Sequence, residues 1–258
     1  MIFRDSATML RRNLRHMQRY PSLTVMLAGM PVIFLLLFVY VFGGTLGAGL
    51  GGGPGGRAGY LGYVVPGILM MTIALAVTGT AVTVSMDMTE GIVARFRTMA
   101  IARASVLTGH VLGSVIQTFI GLAFVLAVAI AIGFRPHTGP LGWLGVVGVL
   151  AMTSFALTWL AVALGLVART VEEASNTPAP LILLPFLGSG FVPTDSMPAG
   201  LRQFAEYQPF TPVIESLRAL LTGSPIGGHL VAAALWCAAL ALIGFLWSQR
   251  LYARDPAR

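Results

Sequence analysis

The sequence predicts an all-α integral membrane protein with six transmembrane helices, and three observations carry that expectation. The 258-residue chain is 56% hydrophobic and only 10% charged, whereas a globular domain is about a quarter charged. Six apolar stretches, 22–43, 60–86, 104–134, 140–168, 177–194 and 228–249, contain no Asp, Glu, Lys or Arg, and each is long enough to cross about 30 Å of hydrocarbon as a helix. The charges that remain are unevenly shared. All 16 basic residues are Arg, and twelve of them (Arg4, Arg11, Arg12, Arg15, Arg19, Arg95, Arg97, Arg103, Arg169, Arg250, Arg254 and Arg258) lie on one set of connections and termini, against Arg57, Arg135, Arg202 and Arg218 on the other. Arg-rich loops stay in the cytoplasm, so both termini are expected there, as an even number of spans requires. A transmembrane β-barrel would show short alternating strands instead. The net charge of +7 follows the loops rather than forming a nucleic-acid-binding patch.

Residues 1–20 place Ile2, Phe3, Met9, Leu10, Leu14 and Met17 among five arginines. Helical spacing of much of this apolar set predicts a basic amphipathic helix lying on the inner leaflet, ended by Pro21. An unstructured positive flank is the simpler alternative. The run 22–43 is longer than a signal-peptide core and no small-x-small cleavage pattern follows it, so it reads as a retained span. The Gly-rich stretch 43–59 reads as a mobile outer loop. Its glycines lack the following Lys-Ser/Thr and the preceding strand of a phosphate-binding loop.

Between the second and third apolar runs lies "DMTEGIVARFRTMAIAR", residues 87–103. Asp87 and Glu90 have the spacing of a capping box at a helix start. Ile92, Phe96 and Met99 then recur on one face, while Arg95 and Arg97 project elsewhere. This predicts a short amphipathic cytoplasmic helix whose apolar stripe suits docking to another protein. The bland alternative is a connector resting on the bilayer, although a connector needs only a few residues.

The spans themselves carry no ionisable acid or base of the kind that ion-coupled carriers use for proton or ion relays. His110 and His229 fall near span ends and lack metal-ligand spacing. Ser189 in "LGSGF" has no intramembrane base to activate it. Cys237 is the only cysteine, so no intramolecular disulfide is expected. The fifth apolar run is irregular, with Pro178, Pro180, Pro185, Pro193 and Pro198 in and around it. Pro185 removes a backbone donor and loosens the helix, which is tolerated where backbone is buried in protein or lines a cavity. Two short helical patterns follow and meet at 208–212. The first carries Arg202 and Glu206 four apart. The second carries an apolar face of Val213, Ile214, Leu217, Leu220 and Leu221, with Glu215 and Arg218 three apart. Neither is long enough to cross. Residues 195–223 therefore read as an outer-leaflet re-entrant hairpin before the last span, with a pair of flat surface helices as the alternative.

With these residues in view, the whole chain resembles the membrane-spanning subunit of type-2 ABC exporters, specifically the antibiotic-resistance, daunorubicin-exporter-like branch. The family's acidic-x-x-Gly, Arg-Phe-Arg and later Arg pattern is matched by Asp87, Glu90, Gly91, Arg95, Phe96, Arg97 and Arg103. Its Phe-x-Pro, Leu/Met-Pro, Gln-Pro-x-x-Pro and Leu-Arg elements are matched by Phe191, Pro193, Met197, Pro198, Gln208, Pro209, Pro212, Leu217 and Arg218. "GFRP" at 133–136 is similar too. Ala100 departs from the Pro that many relatives have there, which leaves the end of the cytoplasmic helix unfixed.

The resemblance implies a single transmembrane domain over 1–258 whose segment 87–103 couples to a separate ATP-binding cassette ATPase. ATP and Mg belong to that subunit, since this chain has no GxxxxGK[ST] element. It is expected to be no enzyme and to bind no cofactor, metal or nucleic acid. Two ATPase copies would serve a homodimer or a pair with a closely related permease, in the plasma (inner) membrane. The second and fifth spans would face a hydrophobic or amphipathic cargo, a drug or a lipid, through Thr72, Thr78, Thr80, Thr83, Pro185, Phe186 and Ser189. Each of these threonines is served as well by bonding back to its own helix. A non-transporting membrane scaffold or assembly factor accounts for the spans but not for the paired cytoplasmic elements. A secondary carrier conflicts with the uncharged spans.

Overall fold

A computed structural model describes residues 21–49, 56–89 and 103–254, and all regular structure among them is helical. The chain enters through α1 (Pro21–Leu37), passes a π-helical turn (Phe38–Phe42), and continues as α2 (Gly43–Ala48). Then come α3 (Arg57–Thr89), α4 (Arg103–Ala131), α5 (Pro140–Val167), the short α6 (Val171–Asn176) and α7 (Ala179–Leu183). A 3-10 turn (Thr194–Ser196) leads to α8 (Ala199–Tyr207) and α9 (Phe210–Thr222), and α10 (His229–Arg254) completes the order. Among the described residues, five helical segments are long and apolar enough to cross a membrane: Ala28–Ala48, Arg57–Met88, Val111–Ala131, Pro140–Val167 and His229–Leu251.

Helices α3 and α5 form the centre. The most apolar part of α3 is 78% buried and that of α5 67%, against 22%, 28% and 17% for α1, α4 and α10. A helix that is apolar on every side belongs either in a core or in lipid, and here the two roles are divided. Helix α3 packs against α1, α4, α5 and α9, while α10 lies mainly along α5. Ile68, Met71 and Ile73 of α3, Leu157 of α5 and Ile214 and Leu217 of α9 are almost fully buried in one cluster. Small residues allow the close approach. A Cβ at Gly165 of α5 would collide with Ala81 and Val84 of α3, and one at Gly244 of α10 with the Trp159–Leu160 backbone. Close helix contact through small residues is the main source of packing energy in a bilayer, where lipid is as apolar as the helix.

Three expectations need correction. First, the irregularity expected in 177–194 extends well beyond a loosened turn at Pro185. Helix α7 covers only Ala179–Leu183, and turns follow through 191. One proline does not explain this, because Pro31 and Pro66 sit inside α1 and α3, which run through them. Here Pro178, Pro180 and Pro185 crowd together and Gly188 and Gly190 follow, so donors are missing where backbone entropy is also highest. Second, the described parts of the Gly-rich stretch 43–59 are not a mobile loop: Gly43–Ala48 is helical and α3 already begins at Arg57. Gly43 and Gly47 are buried, with Arg57 and Gly56 against them, and the Arg57 guanidinium lies 4.8 Å from the Tyr40 ring centre. Third, Asp87 starts no new helix. It lies in the last turn of α3, since nothing in "TVSMDMT" stops the preceding helix. The predicted helix at 1–20 and residues 90–102 of the coupling segment lie outside the described residues.

Candidate functional site

The broken segment 184–191 and the α8–α9 hairpin form one hydrogen-bonded unit. Unwinding frees backbone carbonyls, and a buried carbonyl without a donor costs about 1–3 kcal/mol. The hairpin supplies the donors. Gln208, almost fully buried at the joint between α8 and α9, donates from Nε2 to the Leu184 carbonyl at 3.0 Å and to Thr211 Oγ1 at 3.2 Å. Thr211 Oγ1 in turn accepts from the Ser189 N–H at 3.4 Å. Arg218, two turns further along α9, donates to the Ser189 carbonyl at 2.6 Å and to the Tyr63 carbonyl of α3 at 3.3 Å. Its guanidinium carbon lies 3.8 Å from the Tyr63 ring centre, and it is ion-paired with Glu215. A planar, permanently charged fork suits this combination of stacking and several donors.

Local sequence explains why the hairpin can reach so far in. Pro209 immediately precedes α9 and Pro212 sits in its first turn, where an N–H has no helical partner to lose. Gly223, at φ +73°, ends α9 in the left-handed conformation. Pro193 and Pro198 flank the 3-10 turn that leads into α8. The joint packs against Met70, Thr153, Leu157 and Cys237 around a cavity of about 10 Å³, room for about one water molecule. Met70 and Thr153 lie midway along α3 and α5, so the joint is deep, whereas the far end of α9 receives the His137 N–H on its Leu221 carbonyl at 2.9 Å. Backbone contact seals the other side. A Cβ at Gly67 of α3 would overlap the Gly190 carbonyl, and one at Gly188 would overlap the Gln208 amide.

An aromatic cluster covers the break towards α1. Phe186 stacks on Phe191 at 4.3 Å with planes 3° apart, Phe38 lies 4.7 Å from Phe191, and Phe34 meets Phe186 edge-on at 5.8 Å. The Tyr60 hydroxyl donates to the Phe191 carbonyl at 3.1 Å. The π turn of α1 begins at Phe38, so the two irregular stretches of the chain meet at this ring. Such turns concentrate at functional sites.

The sequence pattern of the "ABC-2 type transporter" family matches residues 5–222. The chain belongs to that family. It is the transmembrane permease subunit of an ABC exporter, and membership implies an ATP-binding cassette partner that carries the ATPase. One relative is the daunorubicin resistance ABC transporter permease protein DrrB1 of Streptomyces coeruleorubidus. It is 28% identical over 219 residues, 84% of this chain and 75% of that protein. The probable doxorubicin resistance permease DrrC of Mycobacterium tuberculosis, strain H37Rv, is 24% identical over 180 residues, 67% of this chain and 64% of DrrC. The matched part is thus just under two thirds of DrrC.

In this ABC-2 permease the threonines of the second apolar run have divided roles. Thr72, Thr80 and Thr83 donate to the carbonyls four residues back at 2.8, 2.9 and 2.8 Å. Thr72 and Thr80 are buried, Thr83 is exposed, and Thr78 Oγ1 is buried with no partner among the described residues. Pro185 and Ser189 are buried and Phe186 is half-buried. At the opposite end of the permease, half-buried Asp87 closes α3, Arg103 opens α4, and Glu90, Gly91, Arg95, Phe96 and Arg97 lie outside the described residues. The described capping box is elsewhere. Thr170 accepts from the Glu173 N–H at 3.1 Å, and Glu173 Oε2 accepts from the Arg169 N–H at 2.8 Å. The resulting α6 packs on the end of α3, where Ser85 Oγ donates to the Thr170 carbonyl at 3.4 Å. Its Thr-x-x-Glu signal stands in the sequence but is absent from the pattern of 87–103 that carries the family resemblance. Thr211 and Tyr63 carry no sequence signal for their roles. A linking hydroxyl and a backbone carbonyl leave no pattern to find.

Proposed function

We propose that two copies of this chain, or one with a closely related permease, join two ATPase subunits to export a hydrophobic or amphipathic compound across the plasma (inner) membrane. The observation that carries this is the family match over 5–222, and the relatives' names point to anthracycline-like drugs as the first cargo to test. In this reading the chain makes six crossings, with 177–194 as the broken one and both termini cytoplasmic. Residues 1–20 lie on the inner leaflet, and 195–223 form the re-entrant hairpin in the outer leaflet. The depth of the α8–α9 joint, where Pro209 and Phe210 line a cavity with Met70 and Thr153, supports the re-entrant form over a flat pair of surface helices. Segment 87–103, with Asp87, Glu90, Gly91, Arg95, Phe96, Arg97 and Arg103, receives the ATPase stroke. Thr78, Pro185, Phe186 and Ser189 border the cargo path, with Thr72, Thr80 and Thr83 shaping the same helix. ATP and Mg stay on the partner.

The test is hydrolysis and export by the co-purified complex. Daunorubicin should stimulate its ATPase, and the chain purified alone should hydrolyse nothing. Robust hydrolysis by the isolated chain overturns the permease-subunit reading. Absence of any drug-stimulated export across a panel of drugs and lipids overturns the exporter reading. Orientation has its own check. In a Cys237→Ala background, Gly55→Cys should label in intact cells with a membrane-impermeant thiol reagent, and Arg95→Cys should not. The reverse pattern would invert the topology.

A further inference from the structure

Ser189 Oγ, Gln208 Oε1 and Arg218 Nε are buried polar atoms without a partner among the described residues, and they fall in a single cluster. The same three residues tie the broken segment to the hairpin. Gln208 holds the Leu184 carbonyl, Arg218 holds the Ser189 carbonyl, and Thr211 Oγ1 bridges the Gln208 amide and the Ser189 N–H. Each of the three thus uses part of its bonding capacity and keeps part in reserve. The Gln208 amide is not simply turned the wrong way. Reversing it would set Oε1 against the Leu184 carbonyl, with no donor between them. Arg218 also spans three elements. It reaches the Tyr63 carbonyl and ring on α3, Ser189 in the break, and Glu215 on its own helix. Behind the segment, the Gly67–Gly190 contact leaves no space for inward movement. The unwound stretch can therefore leave α3 only by exchanging these bonds, and the reserve atoms are at hand to take new ones.

We propose that Arg218 and Gln208 are positioning residues that hold 184–191 against α3, and that their bonds re-pair when this segment moves during export. The role rests on the permease reading above. Neither side chain need touch cargo. Both act through the backbone of a segment whose helical bonding stops after the Leu187 N–H to Leu183 carbonyl bond, so their loss separates ATP hydrolysis from transport rather than abolishing assembly.

The experiment uses the full chain with its ATPase in inverted membrane vesicles, with daunorubicin as the probe and both export and ATP hydrolysis measured. The double variant Glu215→Leu/Arg218→Met removes the ion pair together, so no buried charge is stranded. Export per ATP hydrolysed should fall at least about tenfold, the scale of losing a bond to a charged donor. Arg218→Lys should fall less, since an ammonium reaches one carbonyl but cannot lie flat on Tyr63. In a Cys237→Ala background, Ser189→Cys should react with a membrane-permeant maleimide at least about tenfold faster when Arg218 is also replaced. An unchanged export-to-hydrolysis ratio overturns the proposal. So does a proportional fall of export, hydrolysis and complex yield with Ser189→Cys still protected, because Arg218 would then only be packing. Should the double variant fail to assemble, Gln208→Leu and Arg218→Lys read the same ratio. A wild-type complex that exports beside variants of unchanged ratio sinks the positioning role alone, whereas a wild-type chain that recruits no ATPase sinks the permease reading and this role with it.

Discussion

The two arms of the hairpin make opposite use of similar material. Both α8 and α9 are short amphipathic helices that follow prolines, and each carries an Arg paired with a Glu on its own helix. Yet α9 is a wedge. Phe210, Val213, Ile214, Leu217 and Leu221 are buried, and the helix packs on α3, α5 and α10. In α8 only Ala205 is buried, and its apolar Leu201, Phe204 and Tyr207 face outward. The arm that enters the bundle brings its polar residues to free carbonyls, while the arm left outside spends its polar residues on each other. A short helix can thus be an integral part of a membrane core without crossing it, provided that it satisfies the backbone it displaces.

The largest effect should come from the wedge. Ile214 is fully buried in the main cluster, and Ile→Ala in a packed core costs about 2–5 kcal/mol. Ile214→Ala should lower the Tm of the detergent-solubilised chain clearly, and export with it. A Tm unchanged by Ile214→Ala would mean that α9 is loosely docked and that the contrast between the arms is false.

How much of this was legible follows from which forces leave a trace in composition. The all-helical membrane class was legible because hydrocarbon demands long uncharged runs. The irregularity of 177–194 was legible from its prolines, but its extent was not, because Pro31 and Pro66 are equally visible in sequence and break nothing. The π turn at Phe38–Phe42 was invisible, since it contains neither Pro nor Gly. A charged pair announced the first hairpin helix and an apolar stripe the second, without saying which one is inside. That depends on whether partners of matching depth exist, and the Leu184 and Ser189 carbonyls that decide it are backbone. The capping spacing at Asp87 marks no helix start there, because α3 runs on through that residue, while α8 and α9 begin with no side-chain cap at all. The same signal at Thr170 and Glu173 follows a real end of the preceding helix, at Val167.

The second prediction takes the joint between the arms. Gln208→Leu keeps the size of the side chain but removes the donor to the Leu184 carbonyl, with an expected cost of about 1–3 kcal/mol. The Tm loss should be smaller than for Ile214→Ala, and Gln208→Glu should not restore stability, since a carboxylate cannot donate to a carbonyl. If Gln208→Leu is instead neutral, Leu184 is satisfied without the hairpin.

The third sharpens the outer arm. Phe204 is exposed on the single chain, and substitutions at such positions are usually within about 0.5 kcal/mol. Phe204→Ser should leave the Tm of the detergent-solubilised chain nearly unchanged. A loss as large as that of Ile214→Ala, present in the assembled dimer and absent in the single chain, would show that a second copy covers this face.

The smallest effect should come from the arginine of the outer arm, which makes the clearest contrast with its counterpart. Arg202 pairs with Asp195 at 2.6 Å and with Glu206 at 2.7 Å, geometry as good as any around Arg218. All three side chains are open to the surroundings, so water already solvates the charges and little is gained by bringing them together. Arg218 touches the same kind of carboxylate but also stacks on a ring and serves two backbone carbonyls away from water. Arg202→Ala should therefore leave Tm and export per ATP hydrolysed within measurement scatter, at low salt and at high salt alike. A substantial loss that disappears as salt is raised would mean that Arg202 meets a charged surface supplied by another molecule, and the outer arm would then be a contact site rather than a cover.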